Sequence, residues 1–175
     1  MSELQNKLHE LLEISINRFA EETGFADKKA EGLDPDDIST IYSCFVNFEG
    51  EGIQGLFAVN FEKGLVLLSR PSLDRKDADL DRLALDWTSE MCNRISGVFR
   101  EELHARGIDT LSGPPVGVAK KPRRVLDTEG SVYLKTEHKF SEFKASIILK
   151  STMSDEVKQK LLENDKIEIQ RVELF

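Results

Sequence analysis

The order in which hydrophobic period changes along this chain predicts an α+β fold built on a mainly antiparallel β-sheet. Apolar residues recur at helical spacing over residues 2–23 and again over residues 77–106. Between them, two β-branched and aromatic runs flank Glu49-Gly-Glu-Gly52, a strong hairpin signal, and two further strand-like runs follow the second helix. Helix, strand pair, helix, strand pair is the order of a sheet covered by two long helices. With 175 residues and 39% hydrophobic content, residues 1–175 are expected to form a single domain with a continuous core.

In the first helix Leu4, Leu8, Leu11, Leu12, Ser15, Ile16 and Phe19 repeat at helical spacing, with Ser2 placed to cap the start and Gly24 to stop the end. Residues 24–38, rich in Gly, Asp and Lys with Pro35 between acids, read as an exposed connection. Strands follow over 39–48 and 52–60, then a turn at Phe61-Glu-Lys-Gly64, and the short apolar run 65–68 reads as a further strand. Alternating acids and bases around Pro71 form a loop into the second long helix, which Gly107 ends; Asp77 and Asp79 suit the positive end of its dipole. Gly113, Pro114, Pro115 and Gly117 make 111–120 loop or irregular edge strand. The basic cluster at 120–124 reads as a solvated loop. Strands are expected over 125–139 and 142–150. The tail, 151–175, reads as a helix-strand extension, a helix over 154–164 capped by Ser154 and an alternating strand over 167–174.

Bulk properties exclude several function classes. A net charge of −8 leaves no excess of Lys and Arg to neutralise phosphates, so nucleic acid is not an expected partner. No basic and apolar leader opens the sequence and no run approaches the roughly 20 apolar residues of a membrane span, so a cytoplasmic protein without membrane contact is expected. Cys44 and Cys92 lack a CxxC partner and read as small core residues in a reducing compartment. His9, His104 and His138 show no ligand spacing, and surface positions are expected for them. Neither a P-loop nor a GxSxG elbow occurs.

The stretch that carries chemistry is Asp86-Trp-Thr-Ser-Glu90-Met-Cys-Asn93-Arg-Ile-Ser-Gly97. At about 100° per residue, Asp86, Glu90, Asn93 and Gly97 fall within an arc of roughly 60° on one helix face. Leu80, Ala84, Met91, Ile95, Val98 and Phe99 gather opposite. Trp87 lies at the edge of the apolar arc, where core packing is favoured over a partner-facing role. On residue types alone, Glu and Asn on such a face would be read as solvated polar groups.

The spacing Asp-x3-Glu-x2-Asn-x3-Gly resembles the signature of the CheC/CheX/FliY family of chemotaxis phosphatases. The resemblance extends from Ile16-Asn17-Arg18-Phe19 through the hairpin at 41–61 to Ser112-Gly-Pro-Pro-Val-Gly117, and the single-site CheX type fits best. Two-site relatives carry a second phosphatase helix, but Glu13 and Asn17 in the first helix are four apart and depart from the motif. The resemblance implies the CheC/CheX-like fold and hydrolysis of the aspartyl phosphate on a phosphorylated CheY-type response regulator. The regulator supplies Mg²⁺ and a lysine; no metal or cofactor is expected on this chain. By resemblance Asn93 positions the attacking water, a role that suits an uncharged carboxamide able both to accept and to donate. Glu90 pairs with the regulator's lysine, Gly97 lets the partner's loop approach, and Asp86 shapes the rim. A homodimer through the sheets is also implied. The same fold occurs in non-catalytic, flagellar-switch-like scaffold modules that bind the regulator; the presence of both Glu90 and Asn93 favours the enzyme.

Overall fold

Two strands of ten residues each, joined by a hairpin of two residues, form the centre of the molecule. The structure is a computed structural model that describes residues 1–24, 40–69, 80–119, 130–140 and 143–163. In chain order its elements are α1 (Glu3–Thr23), β1 (Ile41–Gly50), β2 (Ile53–Glu62), α2 (Lys63–Ser69) and α3 (Leu80–His104), then β3 (Thr110–Ser112), β4 (Val116–Val118), β5 (Val132–Phe140), β6 (Phe143–Met153) and α4 (Asp155–Glu163). The strands make one six-stranded antiparallel sheet of order β3-β1-β2-β6-β5, with β4 pairing a second stretch of the β1 edge. The α+β architecture read from the sequence is the one observed.

Turn and cap chemistry explains where the elements begin and end. Ser2 and Gln5 form a reciprocal capping box, Gln5 N–H donating to Ser2 Oγ at 3.2 Å and Ser2 N–H to Gln5 Oε1 at 2.8 Å. Gly24 closes α1 at φ 61°, a left-handed conformation that glycine adopts without steric cost. Gly52, at φ 74°, turns the hairpin, and a Cβ there would lie 2.5 Å from Ser154 Oγ, so the hairpin and the start of α4 meet only because this residue is glycine. Ser154 Oγ accepts from Val157 N–H at 3.3 Å and caps α4 as its sequence predicts.

One face of the sheet is the core. Tyr42, Cys44, Val46 and Phe48 of β1 alternate inward with Phe57, Val59 and Phe61 of β2 and Ile147 and Leu149 of β6, all buried. Against them lie Leu8, Leu11, Leu12, Ile16 and Phe19 of α1 and Met91, Cys92, Ile95, Phe99 and Leu103 of α3. Val157 and Leu161 bring α4 into the same cluster. On the opposite face a row of hydrogen bonds crosses three strands, Ser43 Oγ donating to Asn60 Oδ1 at 2.6 Å and Asn60 Nδ2 to Ser146 Oγ at 2.9 Å. That face also exposes Val116 and Tyr133.

The segment 65–68 corrects its expectation: it belongs to helix α2, and Phe61-Glu-Lys-Gly64 is no separate turn but the end of β2 running into that helix. Both edges of β2 are already taken by β1 and β6, so the run cannot extend the sheet beside it; Leu65 and Val66 are buried from a helix instead. The segment 111–120 resolves into two three-residue edge strands. The expected connection at 25–38, Asp77 and Asp79, the basic cluster at 120–124 and the strand at 167–174 lie outside the described residues.

His138 is a second correction. His104 is exposed as expected, but His138, on β5, is only 10% exposed and faces α1. Its Nε2 lies 2.9 Å from Thr136 Oγ1 and 3.6 Å from Glu13 Oε1, and His9 stands 3.8 Å from the same carboxylate oxygen. Burial pushes the His138 pKa below its ordinary 6.5, Glu13 opposes the shift and His9 adds to it. A depressed histidine binds its proton more readily in the unfolded chain, so its contribution to stability is complete above pH 6.5 and is lost as pH falls through that value towards the folded pKa. Urea-unfolding midpoints are therefore expected to drop between about pH 7.5 and pH 5. His138→Gln should flatten that dependence; an unchanged slope in the variant would assign it to other groups.

Candidate functional site

The motif helix α3 is fastened at both ends before any functional side chain is considered. At its start Asp81 Oδ1 accepts from Tyr42 Oη of β1 at 2.6 Å and from Lys63 Nζ of α2 at 2.8 Å. The Lys63 ammonium, with the Tyr42 hydroxyl, holds the Asp81 carboxyl below the usual carboxylate range. Towards its end Arg18 of α1 reaches Glu101 Oε2 at 2.9 Å, and Arg100 grips β3 through Ser112 Oγ at 2.8 Å and the Thr110 carbonyl at 3.1 Å. Gly107, at φ 71°, ends the helical turns.

Rotation about the helix axis is set by its buried face. Phe99 meets Phe57 with ring centroids 5.5 Å apart and Phe48 edge-on at 6.0 Å. The thiols of Cys92 and Cys44 meet between helix and sheet, both buried and unoxidised. The Cys92 thiol hydrogen-bonds to Cys44 and lowers its pKa, while that contact and burial raise the pKa of Cys92. Polar residues on the packed side satisfy themselves within the helix: Thr88 Oγ1 donates to the Ala84 carbonyl at 2.7 Å and Ser89 Oγ to the Leu85 carbonyl at 3.0 Å. Edge strand β4 approaches α3 closely because Gly117 has no side chain; a Cβ there would lie 2.7 Å from Ser89 Oγ and 3.3 Å from the Leu85 carbonyl oxygen.

With that face buried, Asp86, Glu90, Asn93 and Gly97 lie together along the opposite flank, as the spacing predicts. Asp86 and Asn93 are exposed, Glu90 and Gly97 half-exposed. The two central side chains differ in how they are held. The Asn93 carboxamide makes no hydrogen bond among the described residues, while its backbone carbonyl accepts from Ser96 Oγ at 3.1 Å. The Glu90 carboxylate is tethered, its Oε1 accepting from Arg94 Nε at 2.7 Å. Arg94 was not among the residues that the stripe singles out, although a Glu-to-Arg separation of four on a helix is a readable signal. Trp87 packs half-buried against the margin of the core, and the Arg94 guanidinium lies 5.6 Å from its ring centroid.

Gly97 borders an open groove of about 1310 Å³ between the end of α3, the hairpin tip and β3, lined also by Arg100, His104 and the exposed Leu111. Glu90 and Asn93 lie outside it, on the open side of the helix. No three His, Cys, Asp or Glu side chains among the described residues are arranged to hold a metal ion. No helix among the described residues is long and apolar enough to cross a membrane.

The fold is one that solved structures share. CheX from Vibrio vulnificus superposes with a TM-score of 0.61 at 19% identity, covering 86% of this chain and 99% of its own. A CheC-like superfamily protein from Shewanella sp. PV-4 gives 0.61 at 16% identity, over 86% and 99%. CheX from Borrelia burgdorferi, crystallised in a CheX-CheY-BeF3-Mg²⁺ complex, gives 0.58 at 15% identity, over 82% and 96%. Among curated proteins none matches the sequence closely enough to count as a relative. The family model described as chemotaxis phosphatase CheX matches residues 42–138, more than half of the chain, and this protein belongs to that family.

At Gly97 the free fold makes no demand for glycine. A Cβ at this position meets nothing within 4 Å, and its backbone is ordinary helix. Gly97→Ala should therefore stabilise the isolated protein by about 0.5–1 kcal/mol, read as a higher urea midpoint. A lower midpoint would mean that the free fold itself requires glycine there.

Proposed function

We propose that this CheX-family phosphatase hydrolyses the aspartyl phosphate of a CheY-type response regulator, and that Asn93 and Glu90 divide the work. The observation that carries the reading is the pair of side chains on one open flank of a helix locked at both ends. A protein surface can reach such a flank, whereas a small substrate would find little to enclose it. The Borrelia CheX found in complex with CheY supports the choice of partner.

In this reading the regulator brings its own Mg²⁺ and lysine to the phosphoryl group. Phosphoryl transfer has a loose transition state, so the added catalyst contributes chiefly by placing a water in line. The Asn93 carbonyl oxygen accepts a hydrogen bond from that water, and among the described residues its NH₂ has no competing partner to break. Water oxygen bonds to phosphorus, the P–O bond to the regulator's aspartate breaks, and inorganic phosphate and a free carboxylate result. Glu90 pairs with the regulator's lysine, a charge-assisted contact strengthened as docking excludes water. Gly97 lets the partner backbone approach the helix, and Asp86 borders the contact. The reaction takes place in the cytoplasm. The protein acts as a homodimer joined through the outer face of the sheet, where Val116 and Tyr133 are exposed.

Two substitutions test the division of labour against a phosphorylated CheY-type regulator with Mg²⁺. Asn93→Ala should return phosphate loss to the regulator's own rate while leaving binding within about twofold. Glu90→Ala should weaken binding by about tenfold or more as well as slow hydrolysis. Equal loss of binding in both would reject separate roles, and binding without any acceleration by the wild type would leave a scaffold.

A further inference from the structure

The tether on Glu90 is more than a surface ion pair. An exposed Glu-Arg pair one helical turn apart holds its partners only weakly, because water and rotamer freedom compete with it. Here the arginine is held from a second side. Trp87, Glu90 and Arg94 occupy successive turns, and the guanidinium that donates to Glu90 Oε1 at 2.7 Å also lies over the Trp87 ring at 5.6 Å. Trp87 is partly buried and packed against the core margin, whereas Arg94 and Glu90 are 48% and 43% exposed. The indole face thus attracts the guanidinium by a cation–π contact while its Nε donates to the carboxylate, two contacts that a lysine's single ammonium serves less well.

A carboxylate accepts at both oxygens, so a donor on Oε1 leaves capacity for a second cation. We propose that Arg94, braced by Trp87, is a positioning residue that holds the Glu90 carboxylate in the orientation that receives the docking regulator's lysine. The proposal rests on the regulator-phosphatase reading above. It predicts an effect on docking and not on the chemical step, because an untethered Glu90 would have to be ordered when the complex forms while Asn93 is untouched. A competitor role, in which Arg94 must be displaced by the incoming lysine, predicts the opposite sign.

The experiment combines steady-state hydrolysis of a phosphorylated CheY-type regulator with Mg²⁺ and the fluorescence of Trp87, the chain's single tryptophan. Arg94→Ala should raise KM about three- to tenfold, as expected for one side chain newly immobilised on binding, with kcat within about twofold. In the free protein it should make Trp87 more accessible to acrylamide quenching. Arg94→Lys keeps the charge without the guanidinium's separate Nε donor and should restore KM only in part. In a Glu90→Ala background, Arg94→Ala should add nothing to KM, because its effect runs through that carboxylate. An unchanged or lowered KM in Arg94→Ala, or a full additional loss in the Glu90→Ala background, overturns the positioning role while the phosphatase reading stands. No acceleration by the wild type removes the phosphatase reading and the positioning role with it.

Discussion

The rotational setting of α3 on the sheet is the constraint from which the site follows. A helix carries its side chains at about 100° intervals, so one face cannot be chosen without choosing the other. With Phe99 between Phe48 and Phe57, and Met91, Cys92 and Ile95 in the core, Asn93 has only the outward direction left. A slip of one residue that carries Asn93 to the buried position of Cys92 would bury a carboxamide without a partner and take Phe99 from between Phe48 and Phe57. Each of those changes costs on the order of kcal/mol, so the helix has one setting of low energy. The Asp81 anchor and the Arg100 grip on β3 then resist sliding along the axis, which rotation alone does not prevent.

Glycine serves two opposite purposes around this helix. At Gly117 it is required by the free fold, since β4 could not lie against Ser89 and Leu85 with a side chain in between. At Gly97 the free fold requires nothing, and the position is weaker as helix for having glycine. A residue that costs local stability without a structural return points to a surface completed by something outside the chain. Gly97 also borders the open groove between the end of α3, the hairpin tip and β3.

Local features were legible in the sequence and non-local ones were not. The Ser2 cap, the hairpin within 49–52 and the stripe from Asp86 to Gly97 are determined within a few residues, by turn chemistry and helical period, and each stands where its pattern places it. The run at 65–68 depends on whether a sheet edge is free beside it, which no local pattern states, and it became a helix. His138 reads as an exposed strand residue until pairing of β5 with β6 brings it under α1 and beside Glu13. Cys44 and Cys92 meet for the same kind of reason. Arg94 is a different case: its separation of four from Glu90 is local and readable, but it lies across the edge of the polar arc that the motif spacing marks.

The uneven treatment of the two motif side chains is itself informative about mechanism. A group that must form a new ion pair gains from being held in advance, since ordering a long carboxylate side chain at the moment of docking subtracts from affinity. A group that must engage a water is better left without an intramolecular bond, because any such bond would have to be broken as the water arrives. Glu90 is tethered through a braced arginine, and among the described residues the Asn93 carboxamide has no tether. That arrangement fits a helix whose carboxylate recognises a cation and whose carboxamide waits for the substrate protein to bring the rest of the active site.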